Sequence, residues 1–312
     1  MLKYVLKRLG YILVTLWVIV TCTFFMMKNL PGTPFDAERF SIMTPQQQER
    51  VLEMYGLNDS LPMQYVKYIK NMLKGDLGTS FTYVNQDVSK VITGRLGPSA
   101  LIGIQAVLIG LAIGLILGIL APWKHNSGID YFTMILAVLG VSVPNFVAAA
   151  LLQYYIGLKW GALPVGFWTG WNCSVLPSIA LSFSATAMVA RFMRTEMLDV
   201  LDQDYIVTAR AKGLSQMKVL MRHAVRNSIL PVVTILGPIV VNLMTGSLAV
   251  ENIFSIPGIG SLFVDCIKAN DYPVIMGITI FYAAFYMLIV LLVDLAYSLI
   301  DPRIRLAKGK ES

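Results

Sequence analysis

Charge is scarce in this chain. Of its 312 residues only 14% are Asp, Glu, Lys or Arg, 56% are hydrophobic, and the mean hydropathy is +0.66. About a quarter of the residues in a soluble globular domain are charged, so this composition indicates a polytopic membrane protein. The net charge of +7 fits basic cytoplasmic loops better than nucleic-acid binding, because the sequence offers few solvated basic faces.

Cysteine and histidine are equally sparse. Cys22, Cys173 and Cys266 stand alone, without CxxC or Cys/His spacing, and neither His125 nor His223 has a nearby ligand partner. The sequence therefore predicts no disulfide framework, no metal site and no cofactor. We expect the three cysteines to be buried thiols.

Catalytic motifs are missing as well. The chain has no GxxxxGK[ST] phosphate loop, so it is not expected to hydrolyse ATP itself. It also has no HExxH or GxSxG motif, so nothing in the sequence indicates an intramembrane hydrolase. Secondary transporters usually bury carboxylates or break helices near the midplane. Here Asp294 is the one candidate, and only about six residues, roughly 9 Å, separate it from the helix end predicted at Asp301 and Pro302. We interpret it as interfacial.

Uncharged runs predict the membrane spans, since about 20 apolar residues cross the hydrocarbon core. Glycine, proline and tryptophan crowd the first half of the fourth run, so its helix is predicted to begin near Val175, after an interfacial loop. No small-x-small cleavage site follows the first run, which favours a retained helix over a signal peptide. The predicted fold class is all-α, with six transmembrane helices in the runs Leu9 to Met27, Leu96 to Trp123, Tyr131 to Leu158, Trp160 to Ala190, Asn227 to Val250 and Tyr272 to Val293.

Basic residues predict the orientation. With the N-terminus inside, the two short outer loops receive only Lys159 and Lys268. By the positive-inside rule both termini are then cytoplasmic. The basic residues on the cytoplasmic side are Lys3, Lys7, Arg8, Lys124, Arg191, Arg194, Arg210, Lys212, Lys218, Arg222, Arg226, Arg303, Arg305, Lys308 and Lys310.

The segment after the first span is predicted to be a mostly helical extracytoplasmic cap. TPQQQERVLEMYGL and SLPMQYVKYIKNMLKG have apolar residues at helical spacing, with Thr44 and Ser60 as N-caps, and GDLGTSF follows as a turn. The chain is thus divided into residues 1–27 (tail and first helix), 28–98 (cap) and 99–312 (core). A cytoplasmic loop covers about 191–229.

That loop contains a small basic helix-turn-helix. DYIVTARAKG predicts a short helix with small residues at Ala209 and Ala211, and it ends at Gly213, which can adopt a positive φ. A second helix, LSQMKVLMRHAVRN, follows. The residues alone leave two interpretations open, a docking site for a partner protein or an ordinary basic cytoplasmic loop.

This loop resembles the EAA loop, the coupling helix of bacterial ABC importer permeases. Anchored on Gly213, the Glu-Ala-Ala motif falls on Val207, Thr208 and Ala209, so the Ala and Gly match while the acidic residue is missing; Asp204, one turn earlier, is a candidate replacement. YIVTARAKGLS and RHAVRNSILP resemble the oligopeptide, dipeptide and nickel branch. Further similar segments follow in the expected order: LPGTPFD, YGLNDSLPMQY, GDLGTSF, VENIFSIPGIGSLF, ANDYPVIMG and DLAYSLIDPRIR.

The resemblance implies a type I ABC importer permease in the bacterial inner membrane, one half of a two-subunit pore. Its implied partners are a second homologous permease, two ATPase subunits on the cytoplasmic side and an extracytoplasmic substrate-binding protein. The implied cargo is an oligopeptide or dipeptide, with nickel or another small solute as the alternative. A secondary transporter is a less favoured class of protein for this chain. ATPase docking is expected at Asp204, Tyr205, Thr208, Ala209, Arg210, Ala211, Lys212, Gly213 and Leu214.

Polar or small residues away from lipid are expected to line the translocation pathway, although Ser and Thr also hold membrane helices together. Pro144 is expected to kink the third helix beside the pathway. The pathway candidates are Ser142, Pro144, Asn145, Ser182, Ser184, Thr186, Asn242, Met244, Thr245 and Ser247. The outer loop ENIFSIPGIGSLF is expected to contact the binding protein or to seal the outer gate through Glu251, Ile256, Pro257, Gly258 and Gly260.

Overall fold

The computed structural model describes residues 2–29, 40, 42–54, 56–83, 86–123, 125–244 and 247–300. These residues form helices and turns, with one isolated β-bridge between Thr79 and Asp87, so the predicted all-α class is confirmed. By contacts the chain divides into two compact units. The first is Met1–Gly97 with Gly258–Phe285, and the second is Pro98–Pro257 with Tyr286–Ser312.

The helices follow the apolar runs of the sequence. In the first half of the chain they are α1 (Leu2–Lys28), α2 (Pro45–Met54), α3 (Leu61–Met72), α4 (Val88–Trp123), α5 (Gly128–Ser142) and α6 (Asn145–Leu152), followed by a π-helix, π1 (Gln153–Lys159). After a 3-10 turn (Trp171–Ser174) they are α7 (Val175–Leu201), α8 (Asp204–Ala211), α9 (Gln216–Lys218), the π-helix π2 (Val219–Val225), α10 (Arg226–Met244), α11 (Leu248–Ile253), α12 (Ile259–Lys268) and α13 (Tyr272–Ile300).

The membrane spans agree with expectation. In the described part of the chain five helices are long and apolar enough to cross a membrane, and a sixth span is added if the bent pair α5 and α6 with π1 is counted as one. The fourth span begins its α-helix at Val175, as predicted from the Gly, Pro and Trp residues before it.

The first unit contains the two short helices that the sequence predicts after α1. Thr44 and Gln47 form a reciprocal capping box at the start of α2, in which the backbone N–H of Thr44 donates to Gln47 Oε1 at 2.9 Å and the N–H of Gln47 to Thr44 Oγ1 at 3.4 Å. Ser60 occupies the N-cap position of α3, but its side chain makes no capping hydrogen bond. The helix α3 lies against α1, where Thr21 Oγ1 and Tyr65 OH are 2.7 Å apart.

A buried carboxylate fixes the start of α13 in the same unit. Asp271 is fully buried and accepts hydrogen bonds from the Ser80 hydroxyl, from the N–H of Phe81 at 3.2 Å and from the N–H of Thr82 at 3.0 Å. The segment after GDLG is therefore tied to the start of the last span by one side-chain hydroxyl and two main-chain donors.

The core of the second unit forms around α7. Three glycines of α4, Gly110, Gly114 and Gly118, follow one another at four-residue intervals and face Ala185, Val189 and Met193 of α7. A Cβ on any of them would lie between 2.6 and 2.8 Å from a side-chain carbon of α7, so only glycine permits this approach of two backbones.

Two irregular features interrupt the spans. The helices α5 and α6 with π1 meet at an angle of 101°, and the break falls at Val143 and Pro144, because proline supplies no N–H and restricts the residue before it. The predicted second helix of the basic loop begins at Gln216, two residues later than predicted, and its centre, Val219–Val225, is a π-helix that leads into α10.

Two expectations from the sequence are wrong. Cys22 is exposed on α1, whereas Cys173 and Cys266 are buried as predicted. The spans also contain more charge than expected, since Asp130 lies in α5, Arg194 in α7 and Glu251 in α11, and the two acids are buried. The side chain of Asp294, the one titratable candidate from the sequence, lies outside the described residues.

Candidate functional site: a basic helix-turn-helix and a broken span

The short helix α8 presents one face outward and buries the other. Ile206 and Ala209 are buried at 0% and 5% exposure and belong to the same core cluster as Val219 and Leu220 of π2. The side chain of Asn227 also donates to Tyr205 OH at 3.1 Å. The helix is thus packed against the beginning of the fifth span, and its position is linked to that of α10.

The outward face carries most of the residues expected to dock a partner. Asp204, Tyr205, Thr208, Arg210, Ala211, Lys212, Gly213 and Leu214 are all exposed. Ala209 is different, because its small side chain serves packing within this chain and does not face outward. Val207, which stands at the acidic position of the EAA motif, is 58% exposed, and Asp204 is exposed in the first turn of α8.

The turn after α8 has the geometry that the glycine predicts. Gly213 has φ 75°. Its N–H donates to the carbonyl of Arg210 at 3.0 Å and the N–H of Leu214 donates to that of Ala209 at 3.4 Å, which together form a Schellman motif. This left-handed residue reverses the chain between α8 and α9, so the basic residues on both sides of the turn lie on one loop.

The pathway candidates divide into groups. Ser142 and Pro144 are exposed at the break between α5 and α6, and Asn145 Nδ2 donates to Ser184 Oγ of α7 at 3.3 Å. Ser182 is buried and donates to the carbonyl of Ile179 at 2.8 Å, a position suited to packing within α7. The structure therefore brings Asn145 and Ser184 together beside the helix break.

The remaining candidates lie elsewhere on α7 and near the end of α10. Thr186 Oγ1 is buried and makes no hydrogen bond within the described part of the chain. Asn242 is exposed, Met244 and Ser247 are half-buried, and Thr245 lies outside the described residues.

The outer candidates are mostly buried. Glu251 is 2% exposed and accepts a hydrogen bond from Ser99 Oγ of α4 at 2.7 Å. Ile256 is also buried within the second unit, and Pro257 is half-buried. Gly258 and Gly260 belong to the first unit, where both are buried.

The sequence missed Gln153, whose amide connects separate segments of the second unit. Its Nε2 donates to the carbonyl of Val165 at 2.6 Å and to that of Ile253 at 2.7 Å. Beside these bonds the N–H of Phe167 donates to the carbonyl of Phe254 at 2.8 Å. This role could not be predicted from the sequence. Gln153 is a single uncharged residue in an apolar run, and both of its acceptors are backbone carbonyls distant in sequence.

The sequence also missed an ion pair between the third and fourth spans. Arg194 Nε donates to Asp130 Oδ1 at 2.6 Å and Arg194 Nη2 donates to Asp130 Oδ2 at 2.9 Å. His125 Nδ1 lies 3.1 Å from the same Oδ2. The candidate docking helix α8 begins ten residues after Arg194, so this pair lies close to it in sequence.

Five or six apolar spans, one of them broken at a proline, and a basic helix-turn-helix between the fourth and fifth define a polytopic membrane protein of the permease class. Residues 110–306 match the family described as binding-protein-dependent transport system inner membrane component, and residues 1–96 match the N-terminal domain of such components. The chain belongs to this family, and it is a multi-pass protein of the inner membrane.

Individual relatives match over nearly the full length. The chain is 46% identical to the dipeptide transport system permease protein DppB of Lactococcus lactis, over 98% of this chain and 100% of the relative. It is 43% identical to DppB of Bacillus subtilis, over 99% of both chains, and 39% identical to the oligopeptide transport system permease protein OppB of Salmonella typhimurium, over 98% of this chain and all of the relative.

A solved structure shows the same fold. The crystal structure of an amino acid ABC transporter with histidines matches with a TM-score of 0.51 and 20% sequence identity, over 69% of this chain and 94% of that chain. At this identity the match concerns the fold alone, and it agrees with the permease architecture predicted from the sequence.

Proposed function

We propose that this chain is one pore-forming subunit of a binding-protein-dependent ABC importer that moves oligopeptides or dipeptides into the cell. The single observation that carries the mechanism is α8, a short helix whose inner face packs on the chain's own core and whose outer face is exposed and basic. Full-length similarity to permeases named for dipeptide and oligopeptide transport supports the cargo.

In this proposal two ATPase subunits dock on the cytoplasmic side of the two-permease pore, one of them on α8 and the turn at Gly213 of this chain. ATP binding closes the ATPases, and α8 passes the movement to the spans by rigid-body displacement. A second homologous permease completes the pore, and an extracytoplasmic binding protein delivers the solute. Both termini lie in the cytoplasm, residues 28–98 form the outer cap, and this chain contributes no ATPase activity of its own.

The helix break between α5 and α6 supports a pathway through the second unit. Irregular backbone at membrane depth is tolerated where it lines a cavity or is buried in protein, and Ser142 and Pro144 are exposed there. We therefore place Ser142, Asn145 and Ser184 along the proposed route. The buried outer residues Glu251 and Ile256 fit a gate better than direct contact with a binding protein, because their side chains are already packed within this chain.

The experiment is purification of the intact complex from cells that express the neighbouring transport genes. We expect a second permease and two ATPase subunits to co-purify, and reconstituted vesicles to take up short peptides only with ATP and binding protein. Uptake of nickel that peptides do not inhibit would favour the alternative cargo. ATP hydrolysis by the isolated chain, or uptake driven by a proton gradient alone, would refute the proposal.

A variant tests the docking surface separately. Arg210→Glu reverses an exposed charge on α8 without touching the buried face, so ATPase co-purification should fall while expression and membrane insertion stay normal. Because Lys212 is also exposed, the loss is expected to be partial.

A further inference from the structure

The ion pair between Asp130 and Arg194 is held by several hydrogen bonds within the described spans. Asp130 is 3% exposed, and both carboxylate oxygens accept from the Arg194 guanidinium in a bidentate geometry. The N–H of Asn126 donates to Oδ2 at 3.1 Å, and His125 approaches the same atom. A bidentate pair fixes direction as well as distance, so it holds α5 and α7 in one relative register.

Stability alone is a weak reason for such a pair. Removing two charges from water costs about as much as their attraction returns, and apolar residues of similar size often replace buried pairs without loss. The best supported use of a buried pair is to fix register, and ionisable residues within membrane segments generally mark a functional element.

The position of the pair relates it to the coupling helix. From Arg194, α7 continues for seven residues to Leu201, about 10 Å, and α8 begins three residues later. A displacement of α8 therefore reaches α7 directly along the backbone. The helix α5 has no such connection, because the chain between α5 and α7 runs through α6, π1 and the loop at 160–170.

A second contact defines how α5 can follow α7. At Gly140 of α5 a Cβ would lie 2.7 Å from the Cβ of Ala187 and 3.0 Å from the carbonyl oxygen of Phe183. This close approach and the ion pair are ten residues apart on α5, about 15 Å. Two fixed points at this separation prevent rotation of α5 against α7. The helix break at Pro144 lies four residues after Gly140.

We propose that the Asp130–Arg194 pair is a positioning element that transmits displacement of α8, through α7, to α5 and the break at Pro144. The proposal rests on the proposed function, in which α8 is the ATPase docking helix. With the pair intact, α5 and α7 move as one body and the break moves with them. Without it, α7 still responds to the ATPases while α5 lags behind.

The test is the double variant Asp130→Asn with Arg194→Gln in the reconstituted complex. It removes both charges together, so no unpaired charge stays buried. We expect substrate-stimulated ATP hydrolysis to remain near the wild-type rate, and the peptide imported per ATP to fall about fivefold or more, the size of an ordinary coupling energy. Arg191→Gln is the matched control, because Arg191 is exposed on the same helix one turn earlier, and it should leave the ratio unchanged.

An assembled double variant with the wild-type ratio of import to hydrolysis would overturn the proposal. So would a parallel loss of both activities together with poor assembly, since that result assigns the pair to structure alone. Failure of the proposed function looks different, because the wild-type complex itself would then show no ATP-driven uptake.

A covalent replacement provides a second measurement. Asp130→Cys with Arg194→Cys is made in a Cys22→Ala background, because Cys173 and Cys266 are buried and Cys22 is exposed. A short bifunctional thiol reagent should restore the import ratio of this uncoupled variant. A crosslinked complex that remains uncoupled would contradict rigid transmission between α5 and α7.

Discussion

Gly213 acts through its backbone, because a Cβ at this position would meet no atom within 4 Å while φ is 75°. A residue with a Cβ loses about 1 kcal/mol or more in this conformation. We therefore expect Gly213→Val to shift α8, and both uptake and substrate-stimulated ATP hydrolysis to fall in reconstituted vesicles at unchanged expression.

The matched control at this position is Gly213→Asn, since asparagine enters the left-handed region more readily than other residues with a side chain. It should retain most of the activity. Normal transport by the valine variant would mean that the loop only anchors the topology of the chain.

The cysteines provide a prediction about burial. Burial raises the pKa of the Cys266 thiol to about 12, and the residue is 1% exposed, so at pH 7 it is both protonated and covered. Since the thiolate is the reactive form, a membrane-permeant maleimide should spare Cys266 in the native protein and modify it only after denaturation. A Cys22→Ala chain is the control, and labelling of its native form at Cys266 would show that α12 is not packed as described.

At the scale of helices, the glycines of α4 make a prediction about packing. In Gly114→Ala the new Cβ would lie 2.8 Å from the Cβ of Val189 and 2.9 Å from the carbonyl oxygen of Thr186, so the backbones of α4 and α7 must separate. Overpacking of this kind costs about 1–3 kcal/mol. The midpoint of thermal unfolding in detergent should fall.

Gly10→Ala on α1 is the matched control for Gly114→Ala, because nothing lies within 4 Å of its added Cβ. Its midpoint should stay the same or rise, since alanine is the better helix former. Equal midpoints for both variants would contradict the close contact between α4 and α7.

Hydropathy predicts the number of spans and their approximate limits, and for a physical reason it misses the charges at their ends. A run of uncharged residues ends at the first charge, so Asp130 lies before the third run and Arg194 after the fourth. The helices α5 and α7 nevertheless include both residues. Such charges are tolerated because they pair across 64 residues of sequence, and no local pattern reveals that pairing.

The basic loop between the fourth and fifth spans was predictable where its conformation depends on local sequence. The stop at Gly213 follows from the conformational freedom of glycine, and the structure has a left-handed residue there. Which face of α8 is buried was not predictable, because that depends on π2 and α10 packing against it. For this reason Ala209, expected to admit a partner, instead packs inside the chain.

For the whole molecule, the distribution of basic residues makes a prediction about orientation. A fluorescent protein fused after Ser312 should fluoresce, since it folds only in the cytoplasm, and alkaline phosphatase inserted at Ala162 should be active outside. A matched phosphatase insertion at exposed Ser215 should be inactive. The reverse pattern would place α8 on the outer side and exclude ATPase docking there.

The carboxylate of Asp271 also sets an order of events in biosynthesis. Its hydroxyl donor, Ser80, precedes it by 191 residues, so the ribosome delivers the two ends of this contact roughly 10 to 40 s apart. Throughout that interval the N–H groups of Phe81 and Thr82 cannot yet donate to the Asp271 carboxylate. This junction of the first unit is therefore completed only by the entry of the last span, and a nascent chain that stops before residue 271 leaves it open.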